Sequence, residues 1–407
     1  MPTSENEKEA PLLWDYVPIA EYKPPAPPVT QSVRERLTFF RRLFGRGEKE
    51  QEPPLEGAEN IQALPDWQLE CIVPTPEWHD PAEALDVELK DWLVQETPVS
   101  PVVVMVGPPH NGHCETLMTW AQRQQWPLLS PPTAAQILAG EDTWLTKQII
   151  ENTPWVLPCL ERTYLRHPEG LTVVRRFLAN AYAGNLGRGI IGCDSWAWAF
   201  LRHVWRGRVP VTVTLQAFDE TRLARHFRDL ADASGDRPLR FLQSDDGRDV
   251  LLPPEAGKAS GETSNFLQLL AAHSRGICGV ARAIWRANLQ SKPDEKLTDK
   301  ADDPVCRIAN QTVWVTPWLQ MAHPGLPSGA GRDEAFVLHT LLLHNGLPLE
   351  LMQRLLPLSP GRIMGTLIYL EESGLVAQDE TVWQVTPQGY PAVRHFLQAG
   401  DYLVDQF

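Results

Sequence analysis

Short apolar segments alternate regularly with longer amphipathic ones between residues 101 and 233. Each apolar segment is typical of a buried strand, and each precedes a segment whose apolar residues recur at helical spacing. The predicted strands are Val102–Val106, Pro127–Ser130, Trp155–Cys159, Gly189–Cys193 and Val211–Leu215. The predicted helices are Gly112–Gln124, Thr133–Ile150, Leu171–Ala183, Ser195–Trp205 and Asp219–Ala233. Repeated β/α units of this kind predict an α/β fold with a five-stranded parallel sheet between two layers of helices.

The first predicted strand runs into a short turn that is bounded by glycines. Residues 107–114 read Gly-Pro-Pro-His-Asn-Gly-His-Cys, so four residues separate Gly107 from Gly112. A buried strand, a glycine-bounded turn and a helix N-terminus form the layout of a phosphate-binding loop. In such loops a lysine and then a serine or threonine follow the second glycine. Here His113 and Cys114 stand at these two positions.

The overall charge restricts the partners of the chain. Its 407 residues carry 51 acidic and 37 basic side chains, a formal net charge of −14. Nucleic-acid binding needs clustered lysine and arginine, so this balance argues against it. No apolar run approaches the roughly 20 residues that a membrane span needs. The acidic N-terminus lacks the apolar core of a secretory signal, and a cytoplasmic protein is predicted.

The cysteines show no metal-binding or disulfide pattern. They stand at positions 71, 114, 159, 193, 278 and 306, and no two of them form a CxxC pair. This spacing predicts reduced thiols and no metal site. Cys114 could also be a nucleophile activated by His110 or His113. A small buried residue at the start of a helix is the simpler interpretation.

Residues 1–60 are predicted to be a disordered, proline-rich tail that contains one short helix. The proline-rich sequence favours extended structure and cannot build a core. Trp14, Tyr16 and Tyr22 could anchor the tail on a partner or on the body of this protein. Residues 34–46 form a basic amphipathic helix with two open interpretations. It could pack on the main domain, or it could contact an anionic membrane surface or an acidic partner.

The main α/β domain is predicted to span residues 61–235, and two further parts are predicted to follow it. Residues 236–303 are interpreted as a loop insertion and a helical lid. In residues 304–407, three helices precede two short strands around a polar turn, which is typical of a winged helix. Residues 334–407 carry eight acidic and three basic side chains, a net charge of −5. This domain is therefore predicted to bind protein rather than DNA.

The order of elements over residues 101–290, the turn at 107–112 and the C-terminal helices resemble the AAA+/STAND branch of P-loop NTPases. The resemblance implies an ATP site with a helical lid. Its phosphate loop would consist of Gly107, Pro108, Pro109, His110, Asn111, Gly112, His113 and Cys114.

The same resemblance assigns further site residues. Trp155–Glu161 would be the Walker B strand, in which Leu160 takes the position of the metal-binding aspartate. Glu161 would match the glutamate that activates water. Asp194 would be a polar sensor at the end of the next strand, or simply the N-cap of a helix. Arg282 would be the lid arginine that points at the phosphates.

Three departures from the family pattern weaken the phosphate chemistry. His113 carries a positive charge only when protonated, and Cys114 is a poor ligand for Mg²⁺. Leu160 removes an acidic anchor for the same ion. Because phosphoryl transfer depends on charge neutralisation, the sequence predicts a pseudo-ATPase that binds ATP weakly and lacks a secure Mg²⁺ site. Glu161 could then be a solvated acid paired with Arg162.

Three functional hypotheses follow. The first is a regulatory or scaffolding protein, in which the tail, a surface formed by Trp196, Trp198 and Trp205, and the winged helix bind protein partners or further copies of the chain. Core packing is the simpler interpretation of these tryptophans. The second is a slow ATPase whose missing charges come from elsewhere, with Lys147 and Arg162 as candidates. The third is a winged-helix transcription regulator, against which the acidic charge argues.

Overall fold

The computed structural model describes residues 12–25, 61–141, 143–146, 148–149, 153–205, 207, 210–232, 238–251, 264–292 and 311–407. The amphipathic helix predicted at residues 34–46, and the membrane contact suggested for it, lie outside these residues. Among the described residues, no helix has the length and apolarity needed to cross a bilayer.

The strands of the described residues form three sheets. They are β1 (Tyr16–Pro18), β2 (Gln62–Ala63), β3 (Val102–Gly107), β4 (Trp155–Leu157), β5 (Gly189–Asp194), β6 (Val211–Leu215), β7 (Arg240–Gln243), β8 (Leu289–Ser291), β9 (Thr312–Val315), β10 (Leu347–Pro348), β11 (Val376–Asp379) and β12 (Val382–Val385).

The α-helices cover the sheets and build the C-terminal part. They are α1 (Asp66–Ile72), α2 (His79–Val94), α3 (His113–Gln124), α4 (Ala134–Ala139), α5 (Thr143–Thr146), α6 (Thr172–Tyr182), α7 (Ser195–Val204), α8 (Glu220–Asp232), α9 (Phe266–Ser274), α10 (Cys278–Ala287), α11 (Arg332–His344), α12 (Leu349–Leu355), α13 (Pro360–Glu372) and α14 (Tyr390–Ala399).

The main sheet has the order β1-β6-β3-β5-β4. β3 lies at its centre and pairs in parallel with β5 and β6, and β4 pairs in parallel with β5. Every residue of β3 and β5 is buried, which explains why their sequences are apolar up to Asp194 at the end of β5. The predicted α/β class with a parallel sheet is therefore confirmed.

The fifth parallel strand of the prediction is reduced to a single bridge. Within Pro127–Ser130, only Leu128 forms a parallel bridge, to Val156. The fifth strand is β1, which pairs antiparallel with β6. The sequence pattern does not predict β1, because this strand has only three residues and its partner lies about two hundred residues away.

The predicted disorder of the N-terminal tail is wrong for residues 12–25. Tyr16 is buried in the core, and its strand covers the edge of β6. Trp14 packs edge-on against Phe218, with ring centroids 5.1 Å apart. Tyr22 packs against Phe407 at 4.7 Å. The aromatic residues thus dock this segment on the body of the protein itself, because burying large rings offsets the cost of ordering the chain.

The continuous helix predicted at Thr133–Ile150 is also interrupted. α4 ends at Ala139, and Gly140 after it has a φ of +66°, the left-handed conformation that glycine adopts without strain. The described residues beyond it contain only the single turn α5. Trp196 and Trp198 are buried, so they belong to the core and not to a partner-binding surface.

A second sheet of order β2-β8-β9-β7 is absent from the prediction. Its strands come from four separate parts of the chain between residues 62 and 315, and β7 lies in the segment predicted to be a loop insertion. β9 pairs in parallel with β7 and antiparallel with β8. Phe241 of β7 packs on Trp285 of α10, at a centroid distance of 5.5 Å. Strands of two to four residues carry too little pattern to be recognised in a sequence.

The C-terminal unit, residues 332–407, contains α11 to α14 and a small sheet of order β10-β12-β11. Its first helix packs on α7 of the main domain. The Tyr164 hydroxyl donates to the Leu343 carbonyl at 2.6 Å. The Trp196 indole N–H donates to the Tyr390 hydroxyl at 3.1 Å. Buried hydrogen bonds therefore join this unit to the carboxyl edge of the main sheet.

Candidate functional site

The turn at 107–112 joins the central strand to α3 at the carboxyl edge of the main sheet. Gly107 ends β3 and lies opposite Asp194 in the register. His110 and Gly112 have φ values of +64° and +69°. A Cβ atom on Gly112 would lie 1.9 Å from the Trp78 ring, so only glycine allows this ring to pack on the turn. The turn therefore has the position of a phosphate loop, with an indole ring against its second glycine.

Two other parts of the chain also cover this turn. A Cβ atom on Gly279 would lie 1.9 Å from the His110 carbonyl oxygen, so α10 touches the turn through a glycine. From the C-terminal unit, the Tyr390 ring lies 6.1 Å from the His110 ring. Pro108 and Pro109, which belong to the turn, are buried. The turn is thus enclosed by the protein's own residues on several sides.

Two polar side chains of the turn have buried atoms that form no hydrogen bond within the described residues. His110 Nε2 and Asn111 Oδ1 are buried and have no hydrogen-bond partner among the described residues. Burial lowers the pKa of His110 to about 4, so its imidazole is neutral at pH 7. His110 therefore supplies no positive charge to an anion.

His113, at the position of the P-loop lysine, faces Glu161 instead of an open cleft. Its Nε2 lies 3.5 Å from Glu161 Oε1, and the two side chains are 4% and 0% exposed. Burial alone would lower the pKa of His113, but the Glu161 carboxylate outweighs burial and raises it. Burial would likewise raise the pKa of Glu161, yet His113 holds it below its ordinary value. The two groups therefore form a buried ion pair.

Cys114 forms a disulfide with Cys159, with Cα atoms 5.7 Å apart. The prediction of reduced thiols is wrong for these two cysteines, whereas Cys71, Cys193 and Cys278 are free. Cys114 begins α3 after β3, and Cys159 follows β4. The carboxyl ends of parallel strands gather at one edge of a sheet, which explains why cysteines 45 residues apart meet there.

Asp194 caps α7 and also contacts Glu161. Its Oδ1 accepts a hydrogen bond from the Trp196 N–H at 2.9 Å, as an N-cap does. Its own N–H donates to Glu161 Oε2 at 3.0 Å. Burial and then the nearby Glu161 carboxylate raise the pKa of Asp194 well above its ordinary value, although His113 opposes them. Asp194 Oδ2 is buried without a partner in the described part of the chain.

Two predicted contacts do not form. Arg282 donates to the carbonyl oxygens of Pro74 and Val73, at 2.6 and 3.2 Å, and so caps the end of α1. Arg162 is exposed, and Glu161 pairs with His113 instead. The lid arginine is therefore held by backbone carbonyls and not by the turn.

The structure thus brings most of the predicted site residues together and adds three. The turn 107–114, Glu161 and Asp194 converge at one edge of the sheet. Cys159, Trp78 and Tyr390 join them, although no prediction placed them there. Cys159 could have been found, because it is the last residue of a predicted strand of the same parallel sheet. No sequence signal identifies Trp78 or Tyr390, since the residues they contact lie far away in the chain.

No protein-family model matches the chain, and no curated protein matches its sequence. Several solved structures resemble it weakly. The RuvB Holliday junction branch migration motor of Thermotoga maritima is 13% identical, with a TM-score of 0.28 over 80% of this chain and 95% of that chain. A Walker-type ATPase of Pyrococcus abyssi is 11% identical, with a TM-score of 0.29 over 79% and 96%. Cdc6p from Pyrobaculum aerophilum is 12% identical, with a TM-score of 0.29 over 83% and 99%. Identities and TM-scores this low say nothing about what this chain binds.

Proposed function

We propose that this chain is a P-loop protein of the AAA+/STAND type that acts as a regulatory or scaffolding protein and does not turn over ATP efficiently. The buried ion pair between His113 and Glu161 carries the proposal. In an active P-loop site, the lysine and the glutamate at these positions face the nucleotide and the attacking water. Here the two side chains neutralise each other.

The remaining phosphate-handling groups are also committed elsewhere. The Cys114 side chain is bonded to Cys159, so it offers no hydroxyl-like ligand to Mg²⁺. Arg282 caps α1 through two backbone carbonyls. Loss of several charge-stabilising groups removes most of the stabilisation that phosphoryl transfer needs. The backbone N–H groups of the turn still favour an anion, so weak nucleotide binding is compatible with the proposal.

We infer further that the C-terminal unit is a winged-helix domain that binds protein. Three helices, the strand β10 and the hairpin of β11 and β12 support this inference. On α13, Ile368 and Tyr369 are 46% and 39% exposed, and Glu371 and Glu372 follow them on the surface. An apolar pair beside acidic side chains fits a protein partner better than a nucleic-acid backbone.

The proposal is tested by binding of a fluorescent ATP analogue with and without Mg²⁺, together with phosphate release. We expect weak binding that does not depend on Mg²⁺, and phosphate release no faster than without protein. Glu161→Gln and the matched exposed variant Glu115→Gln should both leave phosphate release unchanged.

A slow ATPase is the competing function. It would show Mg²⁺-dependent phosphate release that Glu161→Gln abolishes and Glu115→Gln preserves. That result would overturn the proposal, because it would place Glu161 in a working site. If Glu161→Gln does not fold, Mg²⁺-dependent release by the unmodified chain decides the question alone.

A further inference from the structure

Four metal-ligating side chains from two chain segments meet below the turn. His113 and Cys114 start α3, while Cys159 and Glu161 follow β4. His113 Nε2, Cys114 Sγ and Glu161 Oε1 all lie within 4.8 Å of one another. We propose that these four residues form a zinc site when the disulfide between Cys114 and Cys159 is reduced.

The donor atoms are spaced as a tetrahedral ion requires. The distance from Cys114 Sγ to His113 Nε2 is 3.5 Å, and that from Cys114 Sγ to Glu161 Oε1 is also 3.5 Å. His113 Nε2 and Glu161 Oε1 are 3.5 Å apart as well. Usual bond lengths of Zn²⁺ to sulfur, nitrogen and oxygen give about 3.4–3.6 Å between unlike donors of a tetrahedron. Three protein donors therefore already form one face of such a tetrahedron.

The distance between His113 and Glu161 leaves room for a shared ion. Charge-assisted hydrogen bonds between nitrogen and oxygen are about 2.7–2.9 Å long, whereas this pair stands 3.5 Å apart. The separation is long for a direct hydrogen bond but suits two donors that flank a metal ion. Both side chains are buried, so their positions are fixed by packing.

Cys159 supplies the fourth donor. Its sulfur is bonded to that of Cys114, so the two side chains already point at each other from α3 and from the end of β4. Once the bond is cleaved, two thiolates around a tetrahedral ion stand about 3.8 Å apart, which side-chain rotation can provide. Two sulfurs, one imidazole and one carboxylate suit Zn²⁺, whereas Mg²⁺ prefers oxygen ligands alone.

The groups around the cluster hold the Glu161 side chain in position. They also leave negative charge that a cation would neutralise. The Asp194 N–H donates to Glu161 Oε2 at 3.0 Å, so Oε1, which pairs with His113, is the oxygen that faces the cluster. Asp194 Oδ2 is buried without a partner among the described residues. Two buried carboxyl groups face a single imidazole here, so a divalent ion would lower the cost of burying them.

A phosphine reduces the disulfide between Cys114 and Cys159. The phosphine attacks the S–S bond, water supplies an oxygen atom, and the products are the phosphine oxide and two thiols. Zn²⁺ then binds both sulfurs as thiolates and His113 through neutral Nε2, and the displaced protons pass to the buffer. Molecular oxygen accepts two electrons from the two thiolates and is reduced to hydrogen peroxide, which restores the disulfide and removes two of the four ligands. This inference goes beyond the proposed function and does not require that any nucleotide binds.

The test uses the full chain, reduced with phosphine under argon, and titrates it with Co²⁺ and then Zn²⁺. We expect one Co²⁺ per chain, thiolate-to-cobalt charge-transfer absorption, intense visible bands of a tetrahedral site, and displacement by Zn²⁺. The oxidised chain should bind at least about tenfold more weakly, because two ligands are missing. Cys159→Ser should lose much of the charge-transfer absorption, and Cys71→Ser, which alters a free cysteine elsewhere, should keep it.

Two results would overturn the zinc site. One is a reduced chain that shows no thiolate-to-cobalt absorption. The other is equal Co²⁺ affinity in the reduced and the oxidised chain, which would exclude the two cysteines as ligands. This comparison needs no substitution, so the proposal stays testable even if Cys159→Ser does not fold. Phosphate release measured on the same samples reports on the proposed function separately.

Discussion

At the scale of single residues, Asp405 illustrates how the end of the chain is fixed to the main domain. Its carboxylate is 4% exposed. It accepts hydrogen bonds from Arg394 Nε at 3.1 Å and from the Ser195 hydroxyl at 2.5 Å. Ser195 belongs to α7 and Arg394 to α14, so one buried carboxylate joins the two parts of the molecule. A charge in this position is stable only while its partners remain.

We therefore expect Asp405→Asn to lower the free energy of unfolding by about 3–5 kcal/mol, because the buried Arg394 would lose its counter-charge while the side-chain volume is unchanged. Urea unfolding measures this loss. The matched control is Glu372→Gln, an exposed acid on α13, which should stay within about 0.5 kcal/mol of the unmodified chain. Equal stabilities of the two variants would show that Asp405 does not hold Arg394.

The sequence predicts individual site residues only where a local pattern marks them. His113 and Cys114 stand out because they occupy fixed positions after a glycine-bounded turn. Asp194 stands out because it ends a strand and precedes a helix. The bond from Cys114 to Cys159 has no local signature, since it depends on two strands ending side by side. The family resemblance assigns Arg282 to the phosphates, but its guanidinium donates to the carbonyl groups of Val73 and Pro74 instead.

At the scale of elements, β1 tests how much an edge strand contributes. Tyr16 is 4% exposed and lies opposite Leu215 of β6. Beside it, Arg222 forms an ion pair with Asp15 at 3.0 Å. The strand thus covers an edge that would otherwise expose unpaired backbone groups.

Tyr16→Ala should lower the free energy of unfolding by about 3–5 kcal/mol, because it removes a buried aromatic ring and leaves a cavity. The matched control is Trp67→Ala on α1, whose side chain is 52% exposed. Loss of that larger ring should change stability by no more than about 0.5 kcal/mol. Thermal and urea unfolding of both variants provide the comparison, and a Tyr16→Ala chain as stable as the control would mean that β1 is not docked.

Elements were predictable in proportion to their length and repetition. β3 and β5 are continuous apolar runs, so the parallel core of the sheet followed from the sequence. β1 and the four strands of the second sheet are short, and most of their pairings join parts of the chain that are about 70 to 230 residues apart. Such pairings leave no local pattern in the sequence, which is why the sequence analysis predicts a loop at 240–243.

At the scale of the whole molecule, the C-terminal unit is held over the carboxyl edge of the main sheet by groups that belong to both parts. The Tyr390 hydroxyl accepts a hydrogen bond from Trp196 Nε1 at 3.1 Å and lies 3.4 Å from Asp405 Oδ2. The Arg275 guanidinium donates to the Phe407 carbonyl at 2.7 Å. Because the Tyr390 ring also lies 6.1 Å from the His110 ring, the fold couples enclosure of the turn to the docking of this unit.

Tyr390→Phe tests that coupling with the removal of a single oxygen atom. The ring remains, but the buried indole N–H of Trp196 loses its acceptor, which should lower the free energy of unfolding by about 1–3 kcal/mol. Tyr369→Phe removes the same atom from a ring that is 39% exposed and should have little effect. Unfolding followed by tryptophan fluorescence and by far-ultraviolet circular dichroism should give coincident transitions, because buried contacts make the two parts one cooperative unit. Separate transitions in the unmodified chain would contradict this coupling, and the C-terminal unit would then have to open without unfolding the sheet beneath it.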